Sequence, residues 1–478
     1  MYIGGIDIGT SGCKIAVYDE TGKFVKCEYI EYDVKRSGGL HVIDPEEIFS
    51  CVKKLISRLN IFDLAAIAVT SFGETFVMLD ENDRPCAPSM LYTDPRGKEE
   101  CTKLSEHFGA ETLAYITGTK PHEMYSLPKI MWIKNNMPQQ FAAARHILLM
   151  QDYIVYMLSG TAQIDYSLAS RTLCFDIENK CWSKKIIDYC GIKEELLSTP
   201  VPSGTAAGEI KRETAEELSV NPKLKIVSGC HDQIAAMTGA NIFDDGDVMD
   251  GTGTVECVPV VLDSIPKDRS LFDCGFSFVP HINGKYACYV LSYTGGATLK
   301  WFRNNFSDKS YAQLDAEVDN SPTDLLIMPH FSGAATPYMD INSKAAVIGL
   351  TFEHTRADIY KALMEGTAYE IAVNMEILKR YKLSPKKLVA TGGGARSSVW
   401  LQIKADVLGV PVSALDAEEV GAAGTAYLAG RAIKTYSPDM QLVHTNITYC
   451  PHSENHSFYS KQLEKYKRIY NFSKQILS

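Results

Sequence analysis

Tyr2-Ile3-Gly4-Gly5-Ile6-Asp7-Ile8-Gly9-Thr10-Ser11-Gly12-Cys13-Lys14-Ile15-Ala16-Val17-Tyr18-Asp19 stands at the start of the chain. A strand-like run, Tyr2–Asp7, meets a second, Ile15–Asp19, through a turn that carries three chemistries suited to phosphate. Glycines let backbone N–H groups come close to an anion, Thr10 and Ser11 add hydroxyl donors, and Lys14 supplies a cation. The carboxylate of Asp7 can hold a metal ion or its water. An ordinary Gly-rich hairpin has the same local pattern, so this stretch alone leaves both readings open. Repetition favours phosphate. Three later apolar runs end in similar turns: Asp247-Val248-Met249-Asp250-Gly251-Thr252-Gly253-Thr254; Tyr286–Tyr293, which ends at Gly295-Gly296; and Lys387–Ala390, followed by Thr391-Gly392-Gly393-Gly394-Ala395-Arg396-Ser397-Ser398.

Around these turns the chain alternates short β-rich runs with amphipathic helices, the pattern of an α/β layer fold. Ala65–Ser71 and Lys225–Gly229 read as strands. Between Asp44 and Asn60 a helix is marked by an Asp N-cap, Pro45 in the first turn, Glu47, and an apolar face of Ile48, Val52, Leu55, Ile56 and Leu59. A second series of the same kind starts at Asp247, so the chain is expected to divide into lobes 1–240 and 241–478. Duplicated lobes facing one another would gather the Gly-rich turns around one cleft. The stretch from about Ile447 ends in a Lys-rich helix and reads as a solvated terminus.

The 478 residues are enough for two lobes with sizeable cores, and 45% hydrophobic with 22% charged residues is ordinary for a globular protein. A net charge of -10 argues against a general nucleic-acid or anionic-membrane binder. No secretory signal is expected at an N terminus that enters a strand directly, and no apolar run is long enough to span a bilayer. The thirteen cysteines form no CxxC pair and read as reduced thiols of a cytoplasmic protein.

After the strand Lys225–Ser228 come Gly229-Cys230-His231-Asp232-Gln233. A carboxylate at a strand end is well placed to take a proton from a substrate hydroxyl, which makes Asp232 a candidate general base. It is equally a candidate helix N-cap before Ile234-Ala235-Ala236-Met237, and the two roles are compatible. His231 reads as a packed neighbour, without zinc-type spacing around it. At Gly392–Gly394, consecutive glycines before a helix permit a flat ligand or a phosphate to lie on the backbone at the helix's positive end. There is no Walker A sequence and no GxGxxG, which disfavours P-loop and Rossmann nucleotide binding.

Taken together, these motifs resemble the FGGY carbohydrate kinases, within the superfamily that includes hexokinase, actin and Hsp70 nucleotide-binding lobes. Met124–Asn136 is similar to the family's first signature. Ala345–Glu365, with Gly349-Leu350 and Asp358-Ile359, is similar to the second, except that Leu363 stands where a smaller or different apolar residue is usual. Gly392–Ser397, followed by Trp400, Gln402 and Ala405–Gly409, resembles the adenosine-side motif of xylulokinases. The resemblance implies two RNase H-like lobes around an interlobe cleft, and ATP and Mg2+ as cofactors. Asp7 would hold the magnesium shell together with Asp232. Thr10, Ser11 and Lys14 would form the first phosphate loop, and Thr252, Gly253 and Thr254 the second. Gly296 and Lys300 would line the nucleotide, and Gly393, Gly394 and Ala395 the adenine and ribose. Asp232 would be the catalytic base.

The substrate is less sharply marked. Thr70-Ser71-Phe72-Gly73-Glu74-Thr75 and Thr93-Asp94-Pro95-Arg96 lie where family members contact the polyol, so Glu74, Thr75, Asp94, Asp232 and Gln233 are the expected sugar ligands. Xylulokinases usually carry Met-His where this chain has Glu74-Thr75. Glycerol kinases carry Arg-Glu-Thr, and Gly73 in place of that arginine is expected to leave room for a longer substrate. Gly333-Ala334-Ala335-Thr336-Pro337 also departs from xylulokinases, which usually show Glu-Arg before Thr-Pro. A small neutral ketose of the pentulose type is expected, with a glycerol- or erythritol-type polyol, then gluconate, as alternatives, and a non-enzymatic sugar sensor as a reading of another class. Dimers are common among similar proteins, but nothing in the chain fixes its oligomeric state.

Overall fold

A computed structural model describes residues 1–319, 321–416 and 419–477. The chain forms two compact units. The first comprises Met1–Asn241, Val279–Gly284 and Glu419–Val443, and the remaining described residues form the second.

In the first unit a six-stranded sheet is built from β1 (Tyr2–Ile8), β2 (Gly12–Asp19), β3 (Phe24–Glu31), β4 (Leu64–Ser71), β5 (Thr205–Glu209) and β6 (Lys225–His231) in the order β3-β2-β1-β4-β6-β5. The three N-terminal strands are an antiparallel meander, β4 and β6 run parallel to β1, and β5 is an antiparallel edge. One face of the sheet is covered by α1 (Pro45–Leu59), which buries Ile48, Val52, Leu55, Ile56 and Leu59 as its 3.6-residue period requires. Asp44 caps that helix, its Oδ1 accepting from the N–H groups of Glu46 and Glu47 at 3.1 and 3.3 Å.

Packed with the same sheet are α2 (Asp232–Gly239) and a helix from far along the chain, Val420–Ala432. Their contact is backbone on backbone. A Cβ on Gly239 would lie 2.0 Å from the Val420 carbonyl oxygen, one on Gly424 2.0 Å from that of Ala235, and one on Gly5 of β1 2.1 Å from that of Ala422. Any larger residue at these three positions would force the helix off the sheet.

The second unit repeats the strand plan. Within a seven-stranded sheet, β7 (Asp247–Thr252), β8 (Glu256–Leu262), β9 (Tyr286–Ser292), β10 (Lys387–Thr391), β11 (Val412–Leu415) and β12 (Thr445–Tyr449) stand in the order β9-β8-β7-β10-β11-β12, with the same succession of antiparallel and parallel pairings. Its core is organised by a 25-residue helix, α3 (Arg356–Arg380), opened by a capping box between Thr355 and Asp358. Leu363, where the second signature departs from the usual residue, is fully buried in that core. No helix among the described residues is long and apolar enough to cross a membrane.

Candidate functional site

In open sheets with parallel strands, ligands meet the carboxyl ends of those strands. In the first unit Asp7 lies near the end of β1, Thr70 and Ser71 end β4, and His231 ends β6, with Asp7 paired to Thr70 and His231 to Ser71. A bulge in β6 around Gly229 brings this about. A Cβ there would be 2.3 Å from the Val69 carbonyl oxygen, and the adjoining Cys230 N–H and C=O are both held by the Thr70 hydroxyl, at 3.1 and 2.8 Å.

The β1–β2 hairpin sets Lys14 directly across from Asp7, with Nζ 3.6 Å from Oδ2. Lys14 is also ion-paired to Glu419, one residue before the helix Val420–Ala432. At the tip, the Gly9 N–H donates to the Gly12 carbonyl at 2.9 Å, and the Tyr32 hydroxyl donates to the Gly9 carbonyl at 2.5 Å. The hydroxyls of Thr10 and Ser11 make no hydrogen bond among the described residues, so both are available to a ligand. Burial pushes the Asp7 carboxyl up to about 6. Lys14 pulls against this, while the charges of Asp232 and Glu419 add to it.

Asp232 is the first residue of α2, and His231, not Asp232, occupies the N-cap position, with no capping bond from its side chain. Capping therefore does not account for the aspartate. Its Oδ1 is buried without a hydrogen bond and lies 3.3 Å from His231 Nε2. Part of the side chain remains open, yet the surrounding protein strips enough water to push its pKa up to about 6, against the pull of the Gln233 backbone N–H, the Arg171 charge and the Gln233 side chain. His231 is driven down to about 3 by burial, reinforced by Arg171, and is a neutral packing partner at neutral pH.

The expected sugar ligands divide. Glu74, with a left-handed backbone (φ 67°), is buried against Arg171, whose Nε lies 2.7 Å from Oε1. Strain of this kind in a non-glycine residue persists only where its surroundings enforce it; here Ser126 Oγ holds the Glu74 carbonyl at 2.6 Å. Thr75 is fully buried with its hydroxyl unpartnered. Asp94 is bonded within its own part of the chain. It is 1% exposed, and both oxygens are taken by Arg96, through Nε and Nη2 at 2.8 Å each, by the Arg96 N–H and by the His41 N–H. A carboxylate so enclosed shapes its loop. The room expected at Gly73 is also filled from within, because a Cβ there would lie 3.2 Å from Arg171 Cγ and from the His231 ring.

Arg171 was not singled out from the sequence. It lies 5.0 Å over the Tyr125 ring and faces Gly73, Glu74 and His231. Its one sequence signal is a lone cation in the small-residue run Ser167–Thr172. Glu419 gave no signal at all, being remote in sequence from everything it meets.

In the second unit the Gly-rich turns enclose a cavity of about 580 Å³. Thr252, Gly253, Thr254, Gly296, Gly393 and Gly394 all line it, while Lys300 lines an adjoining recess. Ala395 belongs to the same 3₁₀ turn, Gly393–Arg396, but not to the wall. Apolar walls come from Leu299, Tyr360 and Trp400, the composition expected around a flat aromatic ligand. At Gly296, where the helix Gly296–Phe306 begins, the backbone N–H donates to the Gly253 carbonyl at 2.8 Å, so that amide supports the turn.

Among the described residues no cluster of three or more His, Cys, Asp or Glu gathers as a metal cage. Asp7 and Asp232 nevertheless fit Mg2+, which is commonly bound through one or two carboxylates and keeps its waters. Both are oxygen donors, the charge of Asp232 is felt at Asp7, and Oδ1 of Asp232 lacks a partner.

Comparison with known proteins gives a consistent result. Residues 2–239 match the model of the FGGY family of carbohydrate kinases, N-terminal domain, and residues 275–433 that of its C-terminal domain. A xylulose kinase of Staphylococcus epidermidis is 27% identical over 490 residues, covering 99% of this chain and 97% of its own length. A gluconokinase of Bacillus subtilis is 26% identical over 457 residues, covering 89% and 86%. Among solved structures, a xyloylose kinase from Brucella ovis superposes with a TM-score of 0.93 at 24% identity over 100% of both chains, a likeness of fold.

Proposed function

Because the chain belongs to the FGGY family of carbohydrate kinases, and so is an ATP-dependent sugar kinase, we propose that it phosphorylates a hydroxyl of a neutral ketose, a pentulose such as xylulose first. Asp232 is the general base in this reading. The observation that carries it is the Asp232 carboxylate itself, at the end of a parallel strand, with an unpartnered oxygen and a pKa raised to about 6. A base poised there is ionised at neutral pH and still basic enough to accept a hydroxyl proton.

In the reaction, Asp232 takes the proton as the sugar oxygen bonds to the γ-phosphorus, and the bond from that phosphorus to the β,γ-bridging oxygen breaks, so that ADP leaves with the electron pair. Lys14 and the hydroxyls of Thr10 and Ser11 neutralise charge on the transferring group. Mg2+, held through Asp7 and Asp232, would screen the phosphate oxygens when bound.

Neutrality of the substrate is supported by Arg171. A sugar acid needs an uncompensated cation, and the Arg171 charge is already matched by Glu74. Gluconate remains the second reading because of the gluconokinase likeness. A cytoplasmic setting agrees with thirteen cysteines that form no CxxC pair.

The test is ADP release from Mg-ATP across pentuloses, hexuloses, glycerol, erythritol and gluconate, run beside Asp232→Ala. One neutral ketose raising turnover far above background, in the unmodified protein only, is the expected result. Preference for gluconate, or full activity in Asp232→Ala, would reject the corresponding part of the assignment.

A further inference from the structure

Lys404 lies in the helix Ser398–Leu408 and is 1% exposed, deep in the second unit. Three acceptors take its three ammonium protons: Asp250, Glu256 Oε1 at 2.6 Å and Thr252 Oγ1 at 2.7 Å. The same nitrogen stands 4.7 Å over the ring of Trp400, one helical turn earlier. Asp250 and Glu256 are fully buried, and Glu256 Oε2 has no partner. Burial works against the charge of Lys404, but the two carboxylates more than offset it.

Such a cluster is a poor way to stabilise a core. Two carboxylates and one cation must all be desolvated, and apolar side chains of similar volume fill such a space at lower cost. Its contacts suggest another use. Thr252 and Trp400 both line the nucleotide-sized cavity, whereas Lys404 does not. Thr252 is also the residue on which the Gly392–Gly394 turn rests. A Cβ on Gly394 would lie 2.5 Å from its methyl, and one on Gly392 2.7 Å from its carbonyl oxygen.

We propose that Lys404 is a positioning residue for the nucleotide: from outside the cavity its ammonium ties the Thr252 turn to the Trp400 wall and thereby fixes the spacing in which ATP is held. The proposal rests on the kinase reading of this cavity and adds a residue to it that touches neither substrate. Trp400 is itself anchored on its far side, its Nε1–H donating to Thr367 Oγ1 at 3.1 Å, so loss of Lys404 releases one of two tethers.

The experiment measures ADP affinity by calorimetry, together with KM for ATP and for the sugar, in the full chain. Lys404→Met should weaken ADP and raise KM for ATP by about tenfold, the scale expected when a wall moves by a fraction of an ångström, with KM for the sugar changed less than about twofold. Lys404→Met/Glu256→Gln removes one stranded carboxylate and should recover thermal stability without recovering ADP affinity. Recovery of both together would show that Lys404 only stabilises the unit, and the proposal would fall. Should the single variant not fold, the double variant and Thr252→Val, which deletes only the hydroxyl that Lys404 holds, carry the test. ADP binding unchanged in those two refutes the proposal. An unmodified protein that binds no ADP refutes the nucleotide reading itself, a result the other arms cannot mimic.

Discussion

Gly393 and Gly394 are adjacent, both line the cavity, and adding one methyl group to each should give opposite results. At Gly393 an added Cβ meets no atom within 4 Å, and the backbone is not left-handed. Gly393→Ala therefore costs nothing sterically in the free protein, and by restricting the unfolded chain it should stabilise by roughly 0.4–1 kcal/mol. Because Gly393 lines the cavity and nothing in the protein occupies the added position, the methyl is expected to take up volume assigned to the nucleotide. A ligand pushed back by 0.5–1 Å forfeits about a quarter to a half of each dispersion contact on that side. Summed over a purine face this is about 1–2 kcal/mol, or roughly a five- to thirtyfold weaker ADP. At Gly394 the added carbon would stand 2.5 Å from Thr252 Cγ2. Contact needs about 3.5 Å or more, so the turn must move by about 1 Å, at an overpacking cost of about 1–3 kcal/mol. Gly394→Ala should thus melt earlier even without ligand. Thermal melts with and without ADP, beside ATP and sugar KM values, separate the two effects. A Gly393→Ala protein of normal stability with unaltered ADP affinity would show that this turn does not face the nucleotide.

Arg171→Met should destabilise the first unit by about 3–5 kcal/mol, because it leaves Glu74 charged and uncompensated, and the companion change Glu74→Gln should restore most of the loss on denaturant titration. The same Arg171→Met protein loses a charge that lowers the Asp232 pKa, so the acid limb of its kcat/KM profile should move to higher pH. In the unmodified enzyme that limb should lie near pH 6, with activity rising as Asp232 gives up its proton. An acid limb at the ordinary carboxylate pKa, near 4, would remove Asp232 from the role of base. The stability sign is opposite to the activity sign. A carboxyl whose folded pKa is raised binds its proton more tightly than the unfolded chain does, so Asp232 costs stability as pH rises from about 4 to about 6.

Local signals in the chain were read correctly where the physics is local. The Asp7–Lys14 hairpin, the Asp44 cap and the strand ending before Asp232 depend on residues within a few positions of one another, and the structure has all three. The pairing of Asp94 with Arg96 is not legible in the sequence, because a carboxylate in a loop looks the same whether it faces solvent or an arginine two residues away. The neighbours of Gly73, Arg171 and His231, are not legible in the sequence because they come from about 100 and 160 positions further on. Lys404 was the most accessible omission. It falls at i+4 from Trp400, on the buried side of a helix whose neighbours Ile403 and Val407 are apolar, and a cation on such a face needs buried acceptors.

The helix Val420–Ala432 bears on how the molecule comes into being. It lies backbone to backbone against Gly5 and Gly239, so the first unit cannot close its core until residues more than 400 positions from its opening strand have left the ribosome. At about 5–20 residues per second, the early strands wait on the order of ten seconds or more after Gly239 for the helix that covers them. During that interval the glycine-lined face of the nascent sheet is exposed. The second unit's strands Asp247–Leu415 are made in the meantime, but its edge strand Thr445–Tyr449 and the helix Ser453–Tyr466 follow the helix Val420–Ala432, so both halves of this chain wait for its last part before they are complete.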